Sequence, residues 1–156
     1  MSDFSIRDAI ASDVAAIEAC VDAAYRMYVD RMGKPPAPML DDYGELVGRG
    51  QVRVAVDVND ALLGLIVSWP EVDHLHVSNV VVDPSAQGQG VGAVMIADVE
   101  ASARRQQLQE LRLYTNVAMT ENLTYYPRIG FEETHRKHQD GYERVFYRRS
   151  VPIERE

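Results

Sequence analysis

The sequence predicts a mixed α/β domain whose central, mostly antiparallel sheet is flanked by helices. Three observations carry that expectation. Strand-like and helix-like segments follow one another in the order β-α-α-β-β-β-α-β-α-β-β along 156 residues. Two short turns, Asn59-Asp60-Ala61 and Asp140-Gly141, join strand-like segments into hairpins and so impose antiparallel neighbours. One apolar strand, ending at Val82-Asp83-Pro84, runs through a glycine-rich turn into a long helix and then another strand, and that crossover imposes a parallel pair.

Each element has its own warrant. Phe4 to Arg7 alternates apolar and polar residues and reads as a short strand. Ser12 and Asp13 are candidate caps for a helix from Asp13 to about Asp30, because Val14, Ile17, Val21, Ala24, Tyr25 and Tyr28 recur at helical spacing. Cys20 lies beside that stripe as a small, half-buried side chain. Arg31 to Leu40 carries Gly33, Pro35, Pro36 and Pro38, which break a helix; Asp41 to Val47 resumes one. Gln51 to Val58 and Leu62 to Trp69 form the first hairpin, and His74 to Val82 a third strand. The helix after the glycines extends to about Gln107, with Val91, Met95, Val99 and Ala103 at intervals of four. Leu111 to Tyr114 is a strand, and Thr120 is placed to cap a short helix bearing Leu123 and Tyr126. Phe131 to Arg136 and Tyr142 to Arg148 pair around Asp140-Gly141, and the tail from Val151 to Glu156 is expected to fray.

Composition narrows the function classes. The length suits one domain, 1–156 with its core at about 4–149. Twenty-four acidic residues against sixteen basic ones give a formal charge of -8, a field that disfavours nucleic acid and suits a neutral or cationic small substrate. A single cysteine precludes an internal disulfide, no basic-then-apolar leader opens the chain, and no apolar run approaches a membrane span. A cytoplasmic protein away from membranes is expected, with a homodimer as the expected assembly on the general frequency of two-fold oligomers.

The strongest chemical signal is Gln87-Gly88-Gln89-Gly90-Val91-Gly92 at a strand-to-helix junction. Glycines there leave backbone N–H groups uncovered at a helix start, where the dipole also favours an anion; a pyrophosphate fits. Gly88-x-Gly90-x-x-Ala93 formally matches a dinucleotide fingerprint, but such a fingerprint serves the first strand and helix of a double βαβ unit, and only 64 residues follow Gly92. No Lys-Ser or Lys-Thr follows, so the run is not a Walker motif. A tight turn without a ligand is the bland alternative.

The chain resembles the GCN5-related N-acetyltransferases. Their signature, Q/R-x-x-G-x-G/A after a strand ending in V-x-P, is matched by Gln87-x-x-Gly90-x-Gly92 after Val82-Asp83-Pro84. Met119 to Phe131 matches that family's short tyrosine-bearing helix followed by Gly-Phe. The resemblance spans about Phe4 to Arg149 and implies the acyl-CoA N-acyltransferase fold, with acetyl-CoA as co-substrate and a small-molecule or peptide amine as acceptor. By resemblance, the backbone of Val80, Val81 and Val82 pairs with the pantetheine arm. The amides from Gly88 to Gly92, with Gln87, Gln89 and Val91 among them, hold the pyrophosphate. Asn122 lies beside the arm, and Tyr126 protonates the leaving thiolate. Tyr125 faces about 100° away and reads as packing. A non-catalytic CoA-binding regulatory module is the alternative that keeps the glycine run.

A base for the amine is sought at Glu71, Asp73, His74 and His76, near the start of the strand before the glycines. In the histone-modifying branch of the family a glutamate stands about eleven residues before the first signature residue, the place His76 holds here. A histidine departs from that branch, and it titrates nearest neutrality. His76 is the candidate base, with a water chain or a solvent-facing histidine as alternatives. His135 and His138, three apart in a charged segment without cysteine, do not read as a metal site, and no metal is expected. Asp41, Asp42 and Glu45 are acidic enough to attract an amine, but a solvated helix face is the preferred reading.

Overall fold

The computed structural model describes residues 3–152. The seven strands are β1 (Phe4–Asp8), β2 (Val52–Asp57), β3 (Leu62–Pro70), β4 (Leu75–Val82), β5 (Glu110–Asn116), β6 (Glu132–Gln139) and β7 (Tyr142–Ser150). The four helices are α1 (Val14–Met32), α2 (Tyr43–Gly48), α3 (Val91–Arg105) and α4 (Thr120–Arg128). The strands form one sheet in the order β1-β2-β3-β4-β5-β7-β6. The β4–β5 neighbours are parallel, as the crossover through α3 requires, while β1–β2, β2–β3, β5–β7 and β6–β7 are antiparallel. This is the mixed, mostly antiparallel sheet flanked by helices that the segment order implies.

The chain clusters into two compact units, one of Met1–Ser68 with Asn79–Asp98, the other of Trp69–Ser78 with Val99–Glu156. In the first, Ile17 and Val21 of α1, Val54 of β2, Leu65, Ile66 and Val67 of β3, Val81 of β4 and Met95 and Ile96 of α3 are buried. In the second, Leu75 and Val77 of β4, Val99 and Ala103 of α3, Leu111 and Leu113 of β5, and Val145 and Tyr147 of β7 form the core. The four-residue stripe expected on α3 is buried at every position. Along β4 burial alternates, with Leu75, Val77, Asn79 and Val81 inward and His76, Ser78, Val80 and Val82 half-buried.

Several local expectations are corrected. Asp13 does not cap α1: its carboxylate accepts from the Ile10 N–H at 2.7 Å and pairs with Arg7 at 2.8 Å, and α1 continues directly out of a 3-10 turn at Ala11–Asp13. That helix reaches Met32, where Gly33 at φ 74° closes it in the left-handed conformation. Ala37–Leu40, expected as loop, forms a 3-10 turn. Cys20 is fully buried rather than half-buried. His74 precedes β4 instead of belonging to it and sits with Nδ1 2.7 Å from Asp73 Oδ1. Thr120 is the first residue of α4 rather than its cap, which is Met119. Val151 is not frayed: it is buried and donates to the Gln109 carbonyl at 2.8 Å, while 153–156 lie outside the described residues. The Asp140-Gly141 turn has φ of 54° and 81°, the doubly left-handed geometry that a two-residue hairpin needs.

Candidate active site

The first unit builds an exposed glycine turn at the start of α3. After Val82, Asp83 stops β4; its carboxylate accepts from the Ser85 N–H at 2.9 Å and organises the turn at Pro84–Ala86. Residues 87–90 are exposed, and Gly88 and Gly90 adopt φ of 83° and 81°. A Cβ built on either glycine would meet no protein atom within 4 Å, so glycine is required there by backbone conformation and not by crowding. The first intrahelical bond of α3 runs from the Val94 N–H to the Gly90 carbonyl at 3.1 Å. The N–H groups before it lie at the helix start, where the peptide dipoles favour negative charge.

Beside this turn, Val80, Val81 and Val82 follow in continuous strand. Gly64 of β3 lies against them, since a Cβ there would stand 2.6 Å from the Val81 carbonyl oxygen and 3.4 Å from Val82 Cα. The Asp83 N–H donates to the Leu63 carbonyl at 2.8 Å. Sequence reasoning missed Gly64, though an isolated glycine in a strand is itself a sign of close backbone approach. It missed Asn79 as well. That side chain accepts from the Tyr25 hydroxyl at 2.6 Å and donates to the Tyr43 oxygen at 2.8 Å, and the Tyr43 hydroxyl donates to the Pro38 carbonyl at 2.6 Å. The signal was an amide on the inward register of β4, where a buried polar group must find partners.

The second unit holds Tyr126, Asn122 and His76. Tyr126 is 6% exposed, with ring centroids 5.7 Å from both Phe131 and Tyr147. The chain returns to it because Gly130, at φ 99°, lets the Phe131 N–H donate to the Tyr126 carbonyl at 3.0 Å. Arg149 Nη1 donates to the Ile129 carbonyl at 2.9 Å at the end of α4. Asn122 Nδ2 donates to Thr115 Oγ1 at 3.0 Å, so this amide ties α4 to β5.

His76 lies in a row of half-buried rings, 4.9 Å from Trp69 and 5.8 Å from Tyr114, with Phe146 a further 5.4 Å beyond. Its pKa is held below the ordinary imidazole value, first by burial and then by repulsion from His74, against an opposing pull from Glu71. His76 is therefore neutral near pH 7 and has a lone pair to offer. Tyr126 packs on Tyr147 and His76 belongs to the row ending at Phe146; adjacent residues of β7 point to opposite faces, so the two candidates address the sheet from opposite sides. The β4–β5 ladder consists of two register pairs, Leu75–Leu111 and His76–Arg112.

Cys20 is not a nucleophile candidate, because burial pushes its thiol up to about 12. Among the described residues no group of three or more His, Cys, Asp or Glu side chains is placed to hold a metal ion, and no helix is long and apolar enough to cross a membrane.

A mixed α/β sheet whose fourth strand runs through a left-handed glycine turn into a helix defines the general class. Residues 21–131 match the model of the Acetyltransferase (GNAT) family. The chain belongs to the GNAT acetyltransferases and is an acetyl-CoA-dependent acyltransferase. Its fold is shared with the PaiA N-acetyltransferase of Thermoplasma acidophilum, solved with coenzyme A, at 15% identity and a TM-score of 0.76 over 96% of this chain and 99% of that one. It is shared with nourseothricin acetyltransferase at 21% identity and a TM-score of 0.74, over 97% and 100%. The ribosomal-protein-S18-alanine N-acetyltransferase of Escherichia coli has the same fold at 15% identity and a TM-score of 0.69, over 98% and 97%. Among curated proteins none matches the sequence.

Proposed function

We propose that the protein, as one catalytic domain over 1–156, transfers an acetyl group from acetyl-CoA to the primary amine of a small molecule or peptide, by direct attack in a ternary complex. The observation that carries this reading is the exposed turn with Gly88 and Gly90 at positive φ, opening α3 directly after β4. Its geometry fits a pyrophosphate: uncovered amides at the start of a 15-residue helix, with no protein atom crowding the glycine Cα positions. Gln87 to Gly92 would hold the phosphates, and the backbone of Val80 to Val82 would receive the pantetheine amides.

The chemistry then falls to the second unit. The amine nitrogen attacks the thioester carbonyl carbon; the new C–N bond forms as the C–S bond breaks. His76, neutral through burial, accepts the proton that the attacking nitrogen must lose. Tyr126 donates its hydroxyl proton to the departing sulfur and is reprotonated from solvent, so the products are the acetamide and free thiol. Asn122, bonded to Thr115, steadies the helix that carries Tyr126.

The test is release of free CoA thiol from acetyl-CoA across a panel of primary amines, with the acetylated product followed by mass spectrometry. Amine-dependent thiol release with a matching acetamide supports the reading. Tight CoA binding with no transfer to any amine would instead favour a CoA-binding module without an acceptor site.

A further inference from the structure

The half-buried ring row of the second unit has unlike charges at its two ends. At one end Trp69 Nε1 donates to Glu71 Oε1 at 2.9 Å, and the Glu71 charge favours the protonated form of His76. At the other end the Arg144 guanidinium lies 4.3 Å over the Tyr114 ring and 5.7 Å from that of Tyr142. Its side chain is only 9% exposed, and a cation so buried needs a matched anion. What it has is the neutral Gln139 Oε1 at 2.9 Å and the carboxylate of Asp140 at 3.5 Å, itself 75% exposed. An ion pair of that length to a solvated partner is weak. Its Nε and Nη2 make no hydrogen bond to a described residue and are not among the buried unpartnered atoms, so they face solvent, where a ligand can reach them. The neighbouring cations of the same face differ: Arg112 is paired with Glu110 and Asp73, and Arg148 with Glu110 and Glu132.

We infer that this row binds an acceptor carrying both a free amine and a free carboxylate, an amino acid or dipeptide, with the amine toward Glu71 and His76 and the carboxylate on Arg144. The inference rests on the acetyltransfer reading of the same site. Charge complementarity selects the ligand: an anionic pole beside the candidate base, a cationic pole with a planar fork suited to carboxylate, and apolar rings between them for the hydrocarbon part. The span agrees. Two steps, 5.8 Å from His76 to Tyr114 and 4.3 Å from Tyr114 to Arg144, lead from imidazole to guanidinium. Together these steps set an upper bound on the separation; with a hydrogen bond of about 3 Å taken off at each pole, an extended chain rising about 3.5 Å per residue bridges the rest with one to two residues.

The decisive experiment compares matched acceptors: free amino acids and dipeptides against the same compounds capped as C-terminal amides. With the wild-type protein, kcat/KM for the free acids should exceed that for the amides at least tenfold. In Arg144→Met that ratio should fall to within threefold of one, and in Arg144→Lys it should lie between. Acetyl-CoA binding by each variant checks that it is folded; if Arg144→Met does not fold, the wild-type ratio and Arg144→Lys decide the matter. Acetyl transfer that proceeds equally well to acids and amides in the wild type overturns this inference alone. No transfer to any amine overturns the acetyltransfer reading, and this inference with it.

Discussion

At Tyr126 the hydroxyl and the ring do different work, and one substitution separates them. The ring packs on Phe131 and Tyr147, so Tyr126→Phe keeps the contacts and removes the hydroxyl proposed as proton donor. We expect kcat to fall about 10- to 100-fold with the acetyl-CoA dissociation constant unchanged. Pre-steady-state thiol release and equilibrium titration measure the two. A thioester with a more acidic leaving thiol should restore part of the rate, because it needs less protonation. His76 is tested through pH. Burial depresses its pKa, so the acidic limb of kcat/KM should have its midpoint below about 6.5 and flatten in His76→Ala, with a rate loss of about 10². The same depression affects stability. The unfolded chain binds the proton more readily, so folding stability is complete above about 6.5 and declines as pH falls from there toward the folded-state value. Urea midpoints at pH 7 and 5 should differ less in His76→Phe than in the wild type.

Two glycines set the geometry at the scale of the elements, for opposite reasons. Gly90 needs its freedom of φ, and the space around its Cα is open. Gly90→Val should therefore fold but deform the turn, and acetyl-CoA affinity should fall at least tenfold, about 1.4 kcal/mol, by calorimetry. Gly64 has an ordinary strand φ and no room. A methyl 2.6 Å from the Val81 carbonyl oxygen must push β4 away, so Gly64→Ala should lower the denaturation midpoint by about 1–3 kcal/mol equivalent. It should weaken acetyl-CoA binding as well, because the displaced backbone is that of Val81 and Val82. The Tyr25–Asn79–Tyr43 relay serves these elements in another way: α1 and α2 bond the same buried amide of β4, and through Tyr43 the Pro38 carbonyl of the 3-10 turn is held too.

For the molecule as a whole the discriminating measurement is ligand choice. The glycine run formally fits a dinucleotide fingerprint, yet it follows the fourth strand of a mixed sheet rather than the first strand of a doubly wound one. Acetyl-CoA should bind in the micromolar range, about 8 kcal/mol, with NAD far weaker. Calorimetry with both ligands in one buffer checks this, and tighter binding of NAD would refute the assignment of the turn. With a formal charge of -8, the proposed mode of binding relies on local backbone amides rather than on a basic surface.

Most elements were legible because their signals are local. Val91, Met95, Val99 and Ala103 announce a helix and its buried face through periodicity; Asp140-Gly141 announces a hairpin through the φ values it tolerates; Gln87 to Gly92 announces an exposed turn before a helix through the conformations glycine allows. The sequence by itself thus determined the strand-and-helix order, the mixed sheet and the place of the glycine turn. The tertiary structure decided what depends on residues far apart in the chain. Asp13 went to Arg7 and to the Ile10 N–H instead of capping α1, because the guanidinium offered a bidentate partner. Tyr126 and His76 came to opposite faces because β7 sends adjacent side chains opposite ways. Trp69, Tyr114, Phe146 and Arg144, from three strands, met around His76 as a ring row with a charge at each end. No linear pattern encodes such a row, since strand register alone sets which side chains become neighbours across a sheet.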